Sequence, residues 1–176
     1  MPGAVFLQGD DVALRTIEEE DLEFLRDTIN DPRVRRFLSM RDPVNLHQER
    51  EFFEEVVASE NGVNLLVTVD GEAAGTVGLH PEGGPNVTAE IGLFLAEAYW
   101  GNGYGTEASE LLTDYAFDAR RFHRVTARVY EPNVASARIW EKLGFRHEAT
   151  FREADFNDGE YVDVRLYAVL EDEWRD

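Results

Sequence analysis

A ten-residue run at 99–108, Tyr-Trp-Gly-Asn-Gly-Tyr-Gly-Thr-Glu-Ala, carries the clearest chemical signal in the sequence. It follows an apolar strand-like run at 91–95 and leads into a helix-like run at 107–117. The first N–H groups of a helix lack intrahelical partners, and the helix dipole favours negative charge there. The run is therefore predicted to bind a phosphate or pyrophosphate. A tight turn whose glycines only relieve backbone strain is the competing interpretation. The alternating glycines are Gly101, Gly103 and Gly105.

Two common nucleotide motifs do not fit this run. No Lys-Ser or Lys-Thr follows the glycines, which excludes a Walker loop, and the spacing falls one residue short of the dinucleotide fingerprint.

A second polar string at 131–145 begins about thirty residues after the glycines. It contains Asn133 and Ser136, which are separated by three positions, and ends in Gly144-Phe145.

Together the two strings resemble the GNAT superfamily of acyl-CoA-dependent N-acetyltransferases. The pyrophosphate loop of that family reads Gln/Arg-x-x-Gly-x-Gly/Ala, with Trp100 standing here in the first position, and its later helix carries Asn-x-x-Ser before Gly-Phe. The most similar branch is the RimJ/RimL type, which acetylates N-termini of ribosomal proteins. That branch commonly has Trp-Gly-x-Gly-Tyr-Gly-Thr-Glu-Ala and a closing strand like the run at 161–167, followed by Glu173-Trp174. The resemblance covers nearly the whole chain.

The resemblance implies acetyl-CoA as cosubstrate, without a metal, and it implies which residues hold the coenzyme. A bulge at Gly92 would aim a backbone N–H at the thioester carbonyl, because glycine inside a strand pattern often marks a bulge. The pantetheine arm would pair like an added strand with Leu93, Phe94 and Leu95. The pyrophosphate would lie on Gly101, Asn102, Gly103, Tyr104, Gly105 and Thr106, with Asn133 and Ser136 also at the cofactor.

Two carboxylates are candidates for the general base that the attacking amine requires. Glu90 lies two residues before Gly92 on the polar side of a buried strand, where an unpaired carboxylate is costly. Asp155 is the rival, because RimL-type sequences carry a glutamate proposed as base in the matching segment. The alternatives are a rim glutamate bonded to a neighbouring strand and a carboxylate flanking a hairpin turn.

Ser136 is the candidate acid, or at least the donor nearest the coenzyme sulfur. Asn133 and Ser136 could equally be helix-capping residues, since both types favour that position, and capping leaves cofactor contact open. Many family members have, at the position of Trp140, a tyrosine that acts as the general acid, and an indole N–H cannot supply a proton as a phenol does. Some N-terminal acetyltransferases place a base glutamate where Arg128 stands, so the tyrosine and glutamate mechanism does not transfer.

The elements around these residues indicate an α/β (α+β) fold in one domain, 1–176. The resemblance implies a twisted, mostly antiparallel mixed sheet of about seven strands, with a V-shaped splay and helices on both faces. Hairpins are predicted at Gly9-Asp10-Asp11 and Asp70-Gly71, with helix starts after Thr16, Asp31 and Asn45. The resemblance also implies that the first helices wall the acceptor cleft, which makes Phe37, Met40 and Phe52 candidates for substrate contact.

Composition limits the classes of partner. Thirty-six acidic residues oppose 17 basic ones, a formal net charge of −19, and Lys142 is the single lysine. This resembles proteins of extreme halophiles, an ordinary acidic protein being the alternative. Nucleic-acid binding is disfavoured because it rests on cationic phosphate contacts. No apolar run is long enough for a bilayer, and a cytoplasmic enzyme, as a monomer or homodimer, is expected.

The expected reaction is acetyl transfer from acetyl-CoA to a primary amine by direct attack. The acceptor indicated by the RimJ/RimL resemblance is a protein N-terminal α-amine, with ribosomal proteins among the candidates. One alternative is a small amine, such as a polyamine, amino acid or aminoglycoside. An alternative of another class is a noncatalytic acyl-CoA sensor, which the tryptophan at position 140 keeps open.

Overall fold

One sheet of eight strands forms the frame of the molecule, in the order β1-β2-β3-β4-β5-β6-β8-β7. The computed structural model describes residues 3–39, 42–58 and 61–176. The sheet is mostly antiparallel and mixed, as expected, with eight strands where about seven were predicted. The strands are β1 Val5–Gln8, β2 Val12–Thr16, β3 Val63–Val69, β4 Glu72–Glu82, β5 Thr88–Leu95, β6 Arg124–Tyr130, β7 Arg146–Asn157 and β8 Glu160–Leu170.

Helices cover both faces of this sheet. They are α1 Leu22–Asn30, α2 Pro32–Arg35, α3 Leu46–Phe52, α4 Tyr104–Asp118, α5 Val134–Lys142 and α6 Glu171–Arg175, with a π-helical turn continuing α3 over Phe53–Val57. Helices α4 and α5 pack their apolar residues on one face, where Leu112, Phe117 and Trp140 are nearly inaccessible to solvent. The other face carries a smaller cluster of Ile17, Leu25 and Leu66 beneath α1.

Local signals account for several of these boundaries. Asp31 and Asn45 cap α2 and α3 by accepting hydrogen bonds from Arg33 N and Gln48 N. The Asp70-Gly71 pair forms the turn between β3 and β4, as the sequence predicts. The predicted helix start after Thr16 is wrong, because Thr16 still pairs with Leu65 in the β2–β3 ladder. A 3-10 turn capped by Glu18 leads into α1 instead.

The sheet splits between its two central parallel strands. Strands β5 and β6 pair only through 88–90 and 124–126, although β5 continues to Leu95 and β6 to Tyr130. Beyond Glu90 the two strands therefore diverge and leave a wedge-shaped opening. This is the predicted V-shaped splay, and it lies between the strand before the glycine loop and the strand after α4.

The predicted bulge at Gly92 is absent from the described ladder. Strands β4 and β5 pair without a register shift from Gly75 opposite Leu95 to Glu82 opposite Thr88, and Gly92 lies opposite Gly78 in that ladder. The splay alone frees the backbone of β5, since β6 diverges while β5 stays in register with β4. A bulge is not needed to expose a donor at this point.

Two absences concern the described residues only. Within 3–39, 42–58 and 61–176, no helix combines the length and apolar content that a bilayer-spanning segment requires. The same ranges contain no group of three or more His, Cys, Asp or Glu side chains that could hold a metal ion.

Candidate active site

A cleft of about 670 Å³ opens where the sheet splits, and the predicted cofactor residues come together in it. Strand β5, the glycine loop and the start of α5 each contribute to its wall, with α2 and the residues after it opposite. Asn102 is the predicted cofactor residue that does not line the cleft. The predicted residues that do are Leu93, Phe94, Leu95, Gly101, Gly103, Tyr104, Gly105, Thr106, Asn133 and Ser136.

The glycine loop places the amino end of α4 at the cleft. Gly101 and Gly103 have φ of 76° and 83°, in the left-handed region that a residue with a Cβ rarely adopts. Gly103 is the N-cap of α4, so the N–H groups of the following first turn have no intrahelical acceptor. These unpaired donors at the positive end of a fifteen-residue helix form a site for an anion.

Side chains around the loop hold it in this conformation. The indole Nε1 of Trp100 donates to the carbonyl of Leu95 at 2.8 Å, and Asn102 Nδ2 donates to the carbonyl of Trp100 at 2.9 Å. A Cβ on Gly105 would lie 3.0 Å from the Ile139 side chain, so α4 approaches α5 as closely as glycine allows. Asn102 therefore braces the loop through its side-chain amide.

Two cations at the cleft were missed by the sequence reasoning. Arg138 and Lys142 both line it from α5, and their four-residue spacing puts them on one helical face. In a chain with a net charge of −19, they offset the repulsion that a polyanionic ligand would meet. Their four-residue spacing was the available signal, because helical periodicity puts residues i and i+4 on one face.

The register of β5 determines which backbone donor faces the opening. Ala96 N donates to the carbonyl of Ala74 at 2.8 Å. Bonded and non-bonded pairs alternate along an antiparallel ladder, so Gly92 and Phe94 direct their backbone groups to β4. Leu93 therefore directs its N–H toward β6, which has already diverged in the described ladder. The donor expected near Gly92 is provided by Leu93.

Ser136 has a hydrogen-bonding arrangement suited to donation. Asn133 Oδ1 accepts from Ser136 N at 3.1 Å, which makes Asn133 the N-cap of α5. The indole Nε1 of Trp140 donates to Ser136 Oγ at 3.3 Å. Since that contact uses an oxygen lone pair, the hydroxyl hydrogen is available to another acceptor in the cleft. Trp140 is buried and does not line the cleft. Its indole therefore contacts Ser136 from the protein interior and does not occupy the position of an acid in the cleft.

Glu90 belongs to a cluster of charged residues on the opposite sheet face from α4 and α5. Its Oε2 lies 3.2 Å from Arg128 Nε, and Glu82 Oε1 lies 3.6 Å from the same guanidinium. Burial, followed by a hydrogen bond and repulsion from Glu82, raises the pKa of Glu90 to about 7 against the opposing effect of Arg128. A carboxyl with this pKa can accept a proton near neutral pH.

The position of Glu90 sets the distance over which a proton would move. It is the last β5 residue paired with β6, and it does not line the cofactor cleft. At about 3.3 Å per residue, its Cα lies about 10 Å along the strand from that of Leu93. Proton transfer from an amine near Leu93 to Glu90 would therefore pass through water.

Asp155 lies at the other side of the opening, on the β7–β8 hairpin. It pairs with Val162, beyond the end of β6, after an irregular segment that begins at Phe151. Its Oδ1 accepts from the adjacent Phe156 N at 2.9 Å. Asp155 is not among the residues that line the cleft.

A second pocket of about 600 Å³ adjoins the cofactor cleft, and we call it the α1–α3 pocket. Phe94 lines both cavities and forms the wall between them. Phe52 lines the α1–α3 pocket, whereas Phe37 lines the cofactor cleft and stacks edge-on against Trp100. Met40 lies outside the described residues. The pocket is lined by Ile17, Leu22, Leu25, Ile29, Ser39, Asp42, Pro43, Val44, Gln48, Glu49, Phe52, Val57, Asn64, Thr76 and Phe94.

A split sheet with a glycine loop at a helix amino end and a donor beside the opening is the arrangement that the resemblance to coenzyme-A-dependent acyltransferases predicts. The family model for the acetyltransferase (GNAT) domain matches residues 11–146, and the chain belongs to this family of N-acetyltransferases. The fold and the enzyme class predicted from the sequence are confirmed.

Known relatives resemble this chain over most of its length. It is 27% identical over 168 residues to the uncharacterized N-acetyltransferase p20 of Bacillus licheniformis, covering 93% of this chain and 94% of the relative. It is 29% identical over 170 residues to YdaF of Bacillus subtilis (strain 168), a candidate ribosomal N-acetyltransferase, with 93% of each covered. Identity to spermidine N(1)-acetyltransferase of Escherichia coli (strain K12) is 28% over 164 residues, covering 93% and 88%.

Solved structures share the same architecture. A GNAT-family acetyltransferase from Bacillus anthracis superposes with a TM-score of 0.84 at 27% identity, covering 96% of this chain and 99% of that one. Spermidine N-acetyltransferase from Vibrio cholerae, solved with CoA and spermine, gives a TM-score of 0.88 at 20% identity, covering 96% and 100%. At that identity the second likeness supports the fold alone.

Proposed function

We propose that this chain transfers an acetyl group from acetyl-CoA to the α-amine of a protein or peptide N-terminus. One observation carries the proposal: the glycine loop, the free side of β5 and Ser136 line a single cleft, which meets a second pocket at Phe94. One cavity would hold the donor and the other the acceptor, with the reacting atoms meeting at the split in the sheet.

Bound acetyl-CoA would supply the thioester, and the protein groups have separate roles around it. The N–H groups after Gly103, with Arg138 and Lys142, bind the phosphates. The N–H of Leu93 donates to the carbonyl oxygen, whose negative charge grows as the amine attacks. Glu90 accepts the proton of the amine through water, and the hydroxyl of Ser136 donates toward the departing sulfur.

The choice of an α-amine over a lysine amine follows from acidity. An α-amine has a pKa of about 8 and a lysine amine one of about 10.4, so the former is far more often neutral near pH 7. A base whose pKa is raised to about 7 is matched to the former. The likeness to YdaF, with its ribosomal name, supports the same acceptor class.

A polyamine is the second candidate acceptor. The observation in its favour is the 28% identity to a spermidine acetyltransferase over 93% of this chain, together with a net charge of −19 that attracts polycations. Asp42 and Glu49 provide two carboxylates in the α1–α3 pocket that could face ammonium groups.

The test follows the release of free CoA thiol from acetyl-CoA, with peptides, spermidine and aminoglycosides as acceptors, at low and at molar salt. Faster turnover on peptides with a free α-amine than on α-acetylated lysine peptides supports the proposal. Turnover on spermidine without turnover on peptides would assign the polyamine function instead. Acetyl-CoA binding with no turnover on any amine would identify a noncatalytic sensor.

A further inference from the structure

The α1–α3 pocket is walled mainly by apolar side chains. Apolar surface favours an apolar occupant, because the free energy of leaving water grows with the area buried. The pocket is also much larger than the methyl of an acetyl group, so it has room for a substantial part of the acceptor. The apolar side chains that define its shape are Ile17, Leu22, Leu25, Ile29, Phe52 and Phe94.

Two polar groups within this wall bear on the chemistry of the acceptor. Asn64 Nδ2 is buried and has no hydrogen-bond partner among the described residues. A buried donor left unpaired is costly, and a carbonyl oxygen from a ligand would satisfy it. Glu49 is only 4% exposed, and burial raises the pKa of its carboxyl. The pocket therefore offers a donor and one carboxyl that resists ionisation.

A peptide N-terminus matches these features better than a polyamine does. The first residue of a peptide carries a carbonyl beside its α-amine and can carry an apolar side chain. A linear polyamine has only donors and cations, and each cation buried here would need an ionised partner. Asp42 is exposed, so Glu49 is the one buried carboxyl among the described lining residues.

We propose that the α1–α3 pocket selects α-amines whose own residue has a bulky apolar side chain, such as Leu, Met or Phe. The side chain lies between α1 and α3, and Asn64 donates to the first peptide carbonyl. The inference rests on the proposed function, and it adds the identity of the first residue. The wall shared at Phe94 places the α-amine beside the free edge of β5.

The experiment compares kcat/KM for peptides that differ only in the first residue, Leu, Ser or Gly, with spermidine as a further acceptor. The Leu peptide should exceed the Gly peptide by at least about tenfold, a ratio typical of apolar side-chain recognition. Equal kcat/KM for the three peptides, or a higher value for spermidine, would overturn the inference.

Three variants locate the selectivity. Phe52 is 46% exposed, so Phe52→Ala should fold while reducing the Leu preference severalfold. Phe151→Ala removes an equally exposed ring, 43% accessible, from β7 outside the pocket and should leave the preference unchanged. Asn64→Ala should lower kcat/KM for all three peptides to the same extent. A Leu preference unaffected by Phe52→Ala would contradict the assignment of the pocket.

Failure of this inference differs visibly from failure of the proposed function. Turnover on peptides without selection at the first residue refutes the inference and leaves peptide acetylation intact. Acetyl-CoA binding without turnover on any peptide refutes the proposed function itself.

Discussion

Neighbouring groups act in opposite directions on the pKa of the Glu90 carboxyl. Burial and the neighbouring Glu82 raise its pKa to about 7, while the guanidinium of Arg128 acts in the other direction. A general base works best when its pKa lies near the working pH. This pKa suits the proposed role of Glu90 as general base, in which a water molecule would carry the proton over the distance that the side chain does not span.

The pH profile tests the role of Glu90. Because the base must be ionised, the peptide rate should fall as pH drops through about 7, in addition to the fall caused by protonation of the amine near pH ~8. Glu90→Gln should lower kcat by about 10², and the remaining pH dependence of the rate should come from protonation of the amine alone. Glu82→Gln removes a neighbour that raises the pKa, so it should move the lower limb to more acidic pH. An unchanged profile in both variants would exclude Glu90.

Ser136 and Asn133 separate catalysis from capping. Ser136→Ala should lower kcat about tenfold because the thiolate loses a donor, and it should also lower Tm because the buried indole N–H of Trp140 loses its acceptor while the Asn133 cap is kept. Asn133→Ala should instead reduce the free energy of unfolding by about 1 kcal/mol, the usual cost of a lost N-cap. Thermal unfolding and steady-state kinetics measure the two effects. A normal kcat for Ser136→Ala would mean that the sulfur departs without this hydroxyl.

At the scale of elements, the loop before α4 depends on two left-handed glycines. Gly103→Ala should strain the N-cap by about 1 kcal/mol and turn the first-turn amides away, raising KM for acetyl-CoA about tenfold. Gly83→Ala is the matched control, since Gly83 has a φ of 71° in the β4–β5 connection outside the cleft. It should cost similar stability without changing KM. Equal effects of both variants on KM would indicate general destabilisation.

Short-range signals made most elements predictable from the sequence. The Asp70-Gly71 turn, the Asn133 cap and the glycine loop each encode their geometry within a few residues. Thr16 failed as a predicted cap because a pairing with Leu65, distant in sequence, kept it in the sheet. Local sequence patterns determine turns and caps, whereas long-range strand pairing determines where a strand ends.

The candidate site was predictable in part for the same reason. Motif residues predicted a set of which all but Asn102 line one cleft, but the N–H that faces β6 belongs to Leu93 and not to a bulge at Gly92, because the β4–β5 register determines its direction. The α1–α3 pocket joins residues from five elements and leaves no motif in the sequence. Glu90 was predicted as a candidate base from its own strand, whereas its partners Glu82 and Arg128 come from neighbouring strands.

At the scale of the whole molecule, charge governs the response to salt. A net charge of −19 favours expansion, and raising the salt from about 0.1 M to about 1 M shortens the Debye length from about 10 Å to about 3 Å. The unfolding midpoint Tm should therefore rise by at least about 3 °C, which corresponds to roughly 1 kcal/mol in the free energy of unfolding for a domain of this size. Thermal melts in KCl measure it. A Tm that is flat or falls with salt would remove the halophilic interpretation.

The central feature of the whole molecule is the incomplete pairing of two neighbouring strands in its sheet. Strands β5 and β6 share three paired positions and then diverge, so backbone that would otherwise be satisfied within the sheet is left for a ligand. The glycine loop continues from the same strand, which places the anion site and the carbonyl donor along one edge. The central claim is that this edge, from Leu93 to Thr106, holds the thioester coenzyme.

A crystal structure of the protein with acetyl-CoA tests that claim most directly. Pyrophosphate oxygens should lie within about 3 Å of the amide nitrogens after Gly103, and the thioester carbonyl oxygen should lie at a similar distance from Leu93 N. A coenzyme whose pyrophosphate lies away from the loop, or whose thioester lies outside the split between β5 and β6, would contradict it.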